Sequence, residues 1–177
     1  MNLKTFQTER LNLRPMTEAD AHFILELLND PAFIRYIGDR KVRSIDGAKA
    51  YITNGPVASY AKNGFGLYLV ESKQSGESMG MCGLIQRNTL KDVDIGYAFL
   101  PKFWSRGYAF EAALEMKRYA QDELRLKRLV AVVDPENLPS IHLVEKLGMS
   151  FERMVRLSAD DIELKLFAVE LYKVPLN

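Results

Sequence analysis

The chain is short of several things that would narrow its role. It has one cysteine, Cys82, and two histidines, His22 and His142, in 177 residues. A single cysteine forbids an internal disulfide and suits a reducing compartment. With neither histidine at metal-ligand spacing, no zinc cluster can be assembled, so no metal is expected. Charge of one sign is missing too, because 24 basic residues stand against 23 acidic ones for a net charge of +1. That leaves no broad basic face for nucleic acid, and any anion must be gripped locally. No apolar run approaches membrane-spanning length, and the opening MNLKTFQTERLNLRP lacks the apolar stretch of a secretory leader. A cytoplasmic protein with no membrane or nucleic-acid partner is expected. Neither GxxxxGKS nor GxxxxGKT occurs and no GxGxxG follows a strand, which removes a P-loop nucleotidase and a dinucleotide fold. No internal repeat or Pro/Gly/Ser linker divides the chain, so residues 1–177 read as one domain.

What is present is a regular alternation of strand and helix patterns. Leu11 and Leu13 alternate with Arg10, Asn12 and Arg14, a strand signal. Thr17 and Asp20 then open a helix with Ala21, Ile24, Leu25 and Leu28 on one face, stopped at NDP, 29–31. Residues 32–43 carry no clear pattern, and Ser44 caps a second helix running towards Tyr60 past Gly55–Pro56. Three strand-like runs, 65–71, 79–87 and 93–100, are separated by short turns and read as antiparallel neighbours. Phe110, Ala113, Leu114, Ala120 and Leu124 share a helical face. RLVAVVD, 128–134, suits a strand buried on both faces. Strand 93–100, helix 107–124 and strand 128–134 form a right-handed βαβ crossover. A helix over 138–146 ends at Gly148, and strands near 150–157 and 162–172 close the chain. The expectation is a mixed α/β fold with about seven strands, mostly antiparallel, and about four helices.

One junction stands out. In YAFLPKFWSRGYAFEA, 97–112, an apolar strand stops at Pro101, and Ser105, Arg106, Gly107 and Ala109 precede the helix. Helix N-termini carry unpaired N–H groups and a partial positive charge, so a phosphate placed there is stabilised. Gly107 lets a ligand approach the main chain, and Arg106 adds a forked cation. The junction also lies at the carboxyl end of a strand in a βαβ unit, where open sheets bind ligands. A turn whose Phe103 and Trp104 serve only the core is the plain alternative.

A second stretch, DPENLPSIHLVEKLGM at 134–149, follows the buried strand. Together WSRGYAFEA and NLPSIHLVEKLGM resemble the GNAT superfamily of N-acetyltransferases, and most of all its ribosomal-protein (RimJ/RimL-like) branch. TERLNLRP at 8–15, IGY at 95–97, the WSRGYA loop at 104–109 and Asn137 to Gly148 appear in that family's order over nearly the whole chain. The resemblance implies acetyl-CoA as co-substrate, its diphosphate on the amides of Trp104, Ser105, Arg106, Gly107, Tyr108 and Ala109. It implies a pantetheine arm pairing along Ala98, Phe99 and Leu100, and held on its far side by Asn137 with Ser140 near the sulfur. It also implies two parallel strands that splay. The chain departs from the pattern at Trp104, at Ser105 in place of the branch's glycine, and at Val144, where many relatives carry a tyrosine acid.

Acetyl transfer to an amine requires a proton acceptor, an oxyanion donor and alignment. Asp94, just before IGY, is the expected base through a water. Ser140 is the nearest proton source, and an N–H of Phe99 or Leu100 the oxyanion donor. Tyr36 and Asp39 are expected over the acceptor, a peptide N-terminus or a small amine. His22 and His142 read as packing or surface residues, Cys82 as a small core hydrophobe, and Glu111 and Glu115 as solvated. The implied activity is direct amine attack on the thioester, by a monomer or homodimer. Its rivals are an acyl-CoA-binding module that has lost transfer and a structural domain with a vestigial cleft.

Overall fold

The computed structural model describes residues 4–159 and 162–172. Its strands are β1 Phe6–Gln7, β2 Leu11–Pro15, β3 Leu67–Ser72, β4 Ser78–Ile85, β5 Asp94–Phe99, β6 Arg128–Val133, β7 Ser150–Val155 and β8 Leu164–Glu170. They form one sheet in the order β1-β2-β3-β4-β5-β6-β8-β7. All neighbours run antiparallel except β5 and β6, the parallel pair expected of the crossover. The eighth strand is β1, whose two residues are too few to carry an alternating pattern. In β2, Leu11 and Leu13 are fully buried while Asn12 and Arg14 are half-buried, as alternation requires.

The helices are α1 Ala21–Asn29, α2 Pro31–Tyr36, α3 Ile45–Ile52, α4 Ala58–Asn63, α5 Tyr108–Asp122 and α6 Leu138–Lys146. The NDP stretch does end α1, yet it also starts α2. Asp30 is extended and its Oδ1 accepts the Ala32 N–H at 2.9 Å, with Pro31 in the first helical position. Proline disfavours helix before itself and suits the first turn after it, so one residue does both jobs. Ser44 caps α3 as expected, its Oγ accepting the Gly47 N–H at 3.1 Å. The Gly55–Pro56 pair falls in a π-helical turn, Thr53–Val57, that joins α3 to α4. The wider turn absorbs the missing proline donor.

Helix α5 packs across β2, β4 and β5. Ala112, Ala113, Met116, Tyr119 and Ala120 form its buried stripe, while Phe110, Leu114 and Leu124 flank it half-buried. The small alanines let the helix axis approach the sheet, which fixes where its N-terminus opens. α6 packs on β6 and ends at Gly148, left-handed at φ 85°. The two helix N-termini thus flank the β5–β6 junction.

Candidate active site

β5 and β6 pair over one register position, Asp94 opposite Val130, and then part. The Val130 N–H donates to the Val93 carbonyl at 3.0 Å. The next β6 donor, the Val132 N–H, goes to Asp94 Oδ1 at 3.3 Å instead of continuing the ladder. A side chain has taken the place of a strand, and the sheet opens beyond it. Main-chain groups of an antiparallel edge alternate in direction. The Leu100 N–H donates to the Met79 carbonyl of β4 at 3.1 Å, so Ala98 also turns its groups to β4. Ile95, Tyr97 and Phe99 turn theirs towards β6 and the gap.

Beyond β5 the chain makes a turn in which the Phe103 and Trp104 N–H groups donate to the Leu100 and Pro101 carbonyls, both at 3.0 Å. From Ser105 to Phe110, six consecutive main-chain N–H groups have no hydrogen-bond partner among the described residues. Ser105 and Gly107 are both left-handed, at φ 59° and 80°. This backbone shape turns successive N–H groups to one concave side, a ready anion cradle at the start of α5. Serine carries at Ser105 a conformation that glycine adopts freely, at a cost of about 1–2 kcal/mol.

The loop is held from behind. Glu111 Oε1 accepts the Thr8 hydroxyl at 2.5 Å and the Arg10 N–H at 2.8 Å, and its Oε2 accepts Arg10 Nε at 2.7 Å. Arg10 Nη1 donates to the Arg106 carbonyl at 2.9 Å, and its guanidinium lies 4.4 Å from the Tyr108 ring centre. A Cβ on Gly107 would meet Arg10 Nη2 at 3.3 Å. Glu111, expected to be solvated, is therefore part of a fixed network, and the TERL segment is its other half. Burial alone pushes the Glu111 carboxyl up, and the hydrogen bonds from Thr8 and Arg10 bring it below the usual range.

Two cavities meet at this gap. The larger, about 370 Å³, is lined by Ala98 and Phe99 of β5, by Trp104, Ser105, Gly107, Tyr108 and Ala109 of the loop, and by Asn137 and Ser140 of α6. The smaller, about 120 Å³, runs between β5 and β6 to Asp94. Tyr36, Tyr97, Asn137 and Ser140 line both and mark the junction.

Parted parallel strands beside an open helix N-terminus belong to a known class of fold. The model for the acetyltransferase (GNAT) domain matches residues 10–150. The chain belongs to the GNAT acetyltransferase family. As a member it is an acyl-CoA-dependent N-acetyltransferase. It is 32% identical over 160 residues to the protein YkkB of Bacillus subtilis (strain 168), covering 88% of this chain and 91% of that one. It is 30% identical over 158 residues to the uncharacterized N-acetyltransferase p20 of Bacillus licheniformis, over 87% and 86% of the two chains. The acetyltransferase from Agrobacterium tumefaciens str. C58 superposes with a TM-score of 0.82 at 24% identity, over 96% of each chain, which speaks to the fold.

In this GNAT acetyltransferase several expected residues sit differently from the sequence reading. Leu100 lines neither cavity and its N–H is already used by Met79. Tyr97 and Phe99 face the gap instead, because strand parity decides it. The Phe99 carbonyl already accepts the Trp104 indole N–H at 2.7 Å, and the Trp104 main-chain N–H is used by Pro101. Asp39 also lines neither cavity. Its carboxylate takes Arg43 Nη2 at 2.6 Å and the Lys41 N–H at 2.7 Å, and the Arg43 bond holds it below the usual carboxylate range. Arg106 points its side chain into neither cavity, and its carbonyl is what Arg10 binds. Asn137 Oδ1 caps α6 by accepting the Ser140 N–H at 3.2 Å.

Asp94 is 1% exposed. Burial pushes its carboxyl up to about 6, against the pull of Arg87, whose Nε donates to Oδ2 at 2.6 Å. The Tyr97 hydroxyl donates to the Ser140 carbonyl at 3.3 Å, and burial pushes that phenol up. Cys82 is fully buried and lines neither cavity, and burial pushes its thiol up, which disfavours the thiolate an acetyl-cysteine would need. His142, expected on the surface or in packing, lines the larger cavity with Lys146, one turn on. Their spacing with Pro139 and Leu143 marks one face of α6, a signal the sequence did carry. His22 lines neither cavity. Tyr97 and Lys146 had no sequence flag.

Proposed function

We propose that this chain moves an acetyl group from acetyl-CoA to a primary amine, a protein N-terminus or a small amine, by direct attack of the amine on the thioester. One observation carries the reading: the edge of β5, freed where β6 parts from it, and the loop with the unpaired amides of 105–110 border the same cavity. A long thioester with a diphosphate at one end therefore finds a partner for each end. When bound, acetyl-CoA supplies an activated acetyl group on a thiol that leaves readily. The rest falls to the chain. The amides of Ser105 to Ala109 at the start of α5 hold the diphosphate. The Phe99 N–H, turned to the gap, is the oxyanion donor, a contact worth about 2.7–4 kcal/mol.

Asp94 closes the smaller cavity and takes the acceptor's proton through a water. With its carboxyl at about 6 it is ionised at neutral pH and still basic enough to serve. The hydroxyls of Tyr97 and Ser140 stand at the junction as proton sources for the leaving thiol, and Tyr97 is the stronger acid by type. Asn137 orients Ser140 through its cap, and Tyr36 borders the acceptor. The TERLNLRP strand supports the RimJ/RimL-like branch; we also take the site of action as cytoplasmic and the chain as a monomer or homodimer. Relatives widen the choice of amine. One from Escherichia coli (strain K12), 26% identical over 144 residues, is named Spermidine N(1)-acetyltransferase.

Incubation with acetyl-CoA and a panel of amines and N-terminal peptides, following free thiol, tests the proposal. Thiol release that depends on the amine is expected. Tight binding of coenzyme A without release across the panel would return the chain to the role of an acyl-CoA-binding module.

A further inference from the structure

The smaller cavity has a polarity of its own. Four charged side chains line it: Arg40, Arg87, Asp94 and Asp134. Asp94 is engaged by both oxygens, accepting from Arg87 and from the Val132 N–H. Asp134 is engaged by one, its Oδ1 accepting the Glu136 N–H of its own turn at 2.7 Å. The donors are in surplus. Arg40 is exposed at the rim and has no acid within ion-pair distance among the described residues. Asp39 holds Arg43 at 2.6 Å, and Glu136 holds Arg35 at 3.4 Å. Arg87 uses only its Nε on Asp94. The hydroxyls of Tyr36 and Tyr51, both in the cavity wall, make no hydrogen bond among the described residues. Arg40, Arg87 and Tyr51 line the same small cavity.

We infer that the acceptor is a small amine that also bears an acidic group, a carboxylate or a phosphonate, as an amino acid does. This rests on the transferase reading above and narrows its acceptor. Asp94 faces the amine end, and Arg40, with the Tyr36 and Tyr51 hydroxyls, faces the acid. A guanidinium forks two hydrogen bonds to a carboxylate or phosphonate, and phenols add donors beside it. A polyamine is opposed here, since a second or third ammonium would meet the unpaired Arg40 at the rim.

The test measures kcat/KM with acetyl-CoA for α-amino acids against their carboxamides, for aminomethylphosphonate against methylamine, and for spermidine. Acids are expected to exceed their neutral partners by about tenfold or more, with the advantage shrinking as salt is raised. Arg40→Gln is expected to lower turnover of the acids and bring the acid-to-amide ratio towards unity, and Arg40→Lys to restore part of it. A preference for spermidine or for the carboxamides overturns the inference, as does an acid-to-amide ratio that Arg40→Gln leaves unchanged. Acetyl-CoA binding, measured by calorimetry in the same preparations, separates the two levels. If acetyl-CoA binds and no acid-bearing amine is turned over, this inference alone falls. If acetyl-CoA does not bind, the transferase reading falls with it.

Discussion

Arg10 and Glu111 lie 101 residues apart in the chain and meet at 2.7 Å behind the loop that opens α5. Through Arg10 the contact reaches the Arg106 carbonyl, so the turn between β1 and β2 sets the shape of the anion cradle. Glu111→Gln keeps the size of the side chain and removes its charge, weakening three hydrogen bonds at once. Charge-assisted hydrogen bonds of this kind are worth about 1.5–3 kcal/mol, or about tenfold or more in affinity. The variant is expected to raise KM for acetyl-CoA about tenfold with a smaller change in kcat. Acetyl-pantetheine, which lacks the diphosphate, reports the difference. If the network acts on the cradle, acetyl-CoA loses its advantage over acetyl-pantetheine in the variant. Equal losses on both thioesters would mean that Glu111 only holds the fold.

Asp94 carries two pH signatures. Its carboxyl is raised from 3.8 to about 6 by burial, with Arg87 opposing. Between those values the folded chain keeps a proton that the unfolded chain has lost. Stability therefore falls as pH rises from about 4 to about 6 and levels off above. Asp20, Glu111 and Glu152 are shifted downward and act the other way, their stabilisation being lost as pH falls below the ordinary carboxylate range. The difference in urea midpoint between wild type and Asp94→Asn isolates the Asp94 part, and wild type should lose ground across that window. In catalysis, kcat/KM is expected to rise through a limb near pH 6 that Asp94→Asn abolishes. A limb that survives in the variant would remove Asp94 from the proton path.

Local chemistry was legible in the sequence and convergence was not. The loop at 104–109 could be read because glycine, arginine and a helix start stand side by side. The β5–α5–β6 crossover could be read because Val and Leu runs flank a helical face. Asp30–Pro31 misled, since the same proline that stops one helix begins another, and only the extended Asp30 decides between them. Glu111 looked like surface because helical periodicity says nothing of partners in the turn between β1 and β2. Tyr97, Arg40 and Tyr51 meet at the cavities from three separate elements, which no spacing in the chain encodes. The motif leaves Phe99 and Leu100 as equal candidates for the oxyanion donor, and strand parity, visible only once the Met79 bond is known, selects Phe99.

Ser105 and Gly107 test the cradle from the backbone side. Both are left-handed. Ser105→Gly relieves about 1–2 kcal/mol of strain and gives back about 0.5–1 kcal/mol through the freer unfolded chain. A net gain in stability of no more than about 1.5 kcal/mol and unchanged coenzyme A affinity are expected. Gly107→Val forces a β-branched residue into φ 80° and sets its Cβ against Arg10 Nη2. Melting is expected to fall by about 4 °C, and coenzyme A affinity by far more than that loss of stability implies. Calorimetric titration checks both, and unchanged affinity in Gly107→Val would exclude the cradle as the diphosphate site.

The missing tyrosine at 144 raises the question of what protonates the leaving thiolate. Val144 is fully buried and offers no proton. Tyr97 stands at the junction of the two cavities, its hydroxyl on the Ser140 carbonyl by a bond of 3.3 Å that is long enough to be given up. Burial raises its phenol, which keeps it protonated at working pH, and even so a phenol is a better acid than the Ser140 hydroxyl. Tyr97→Phe is expected to lower kcat by about a hundredfold, within the usual range for a proton donor, with KM for acetyl-CoA little changed. Ser140→Ala is expected to cost less than about tenfold, since Asn137 still caps α6 through the main-chain N–H at 140. A split of this kind identifies a group that acts in the transition state rather than in binding. The reverse ranking would hand the role to Ser140, and a small effect of both would mean that the thiol leaves unaided.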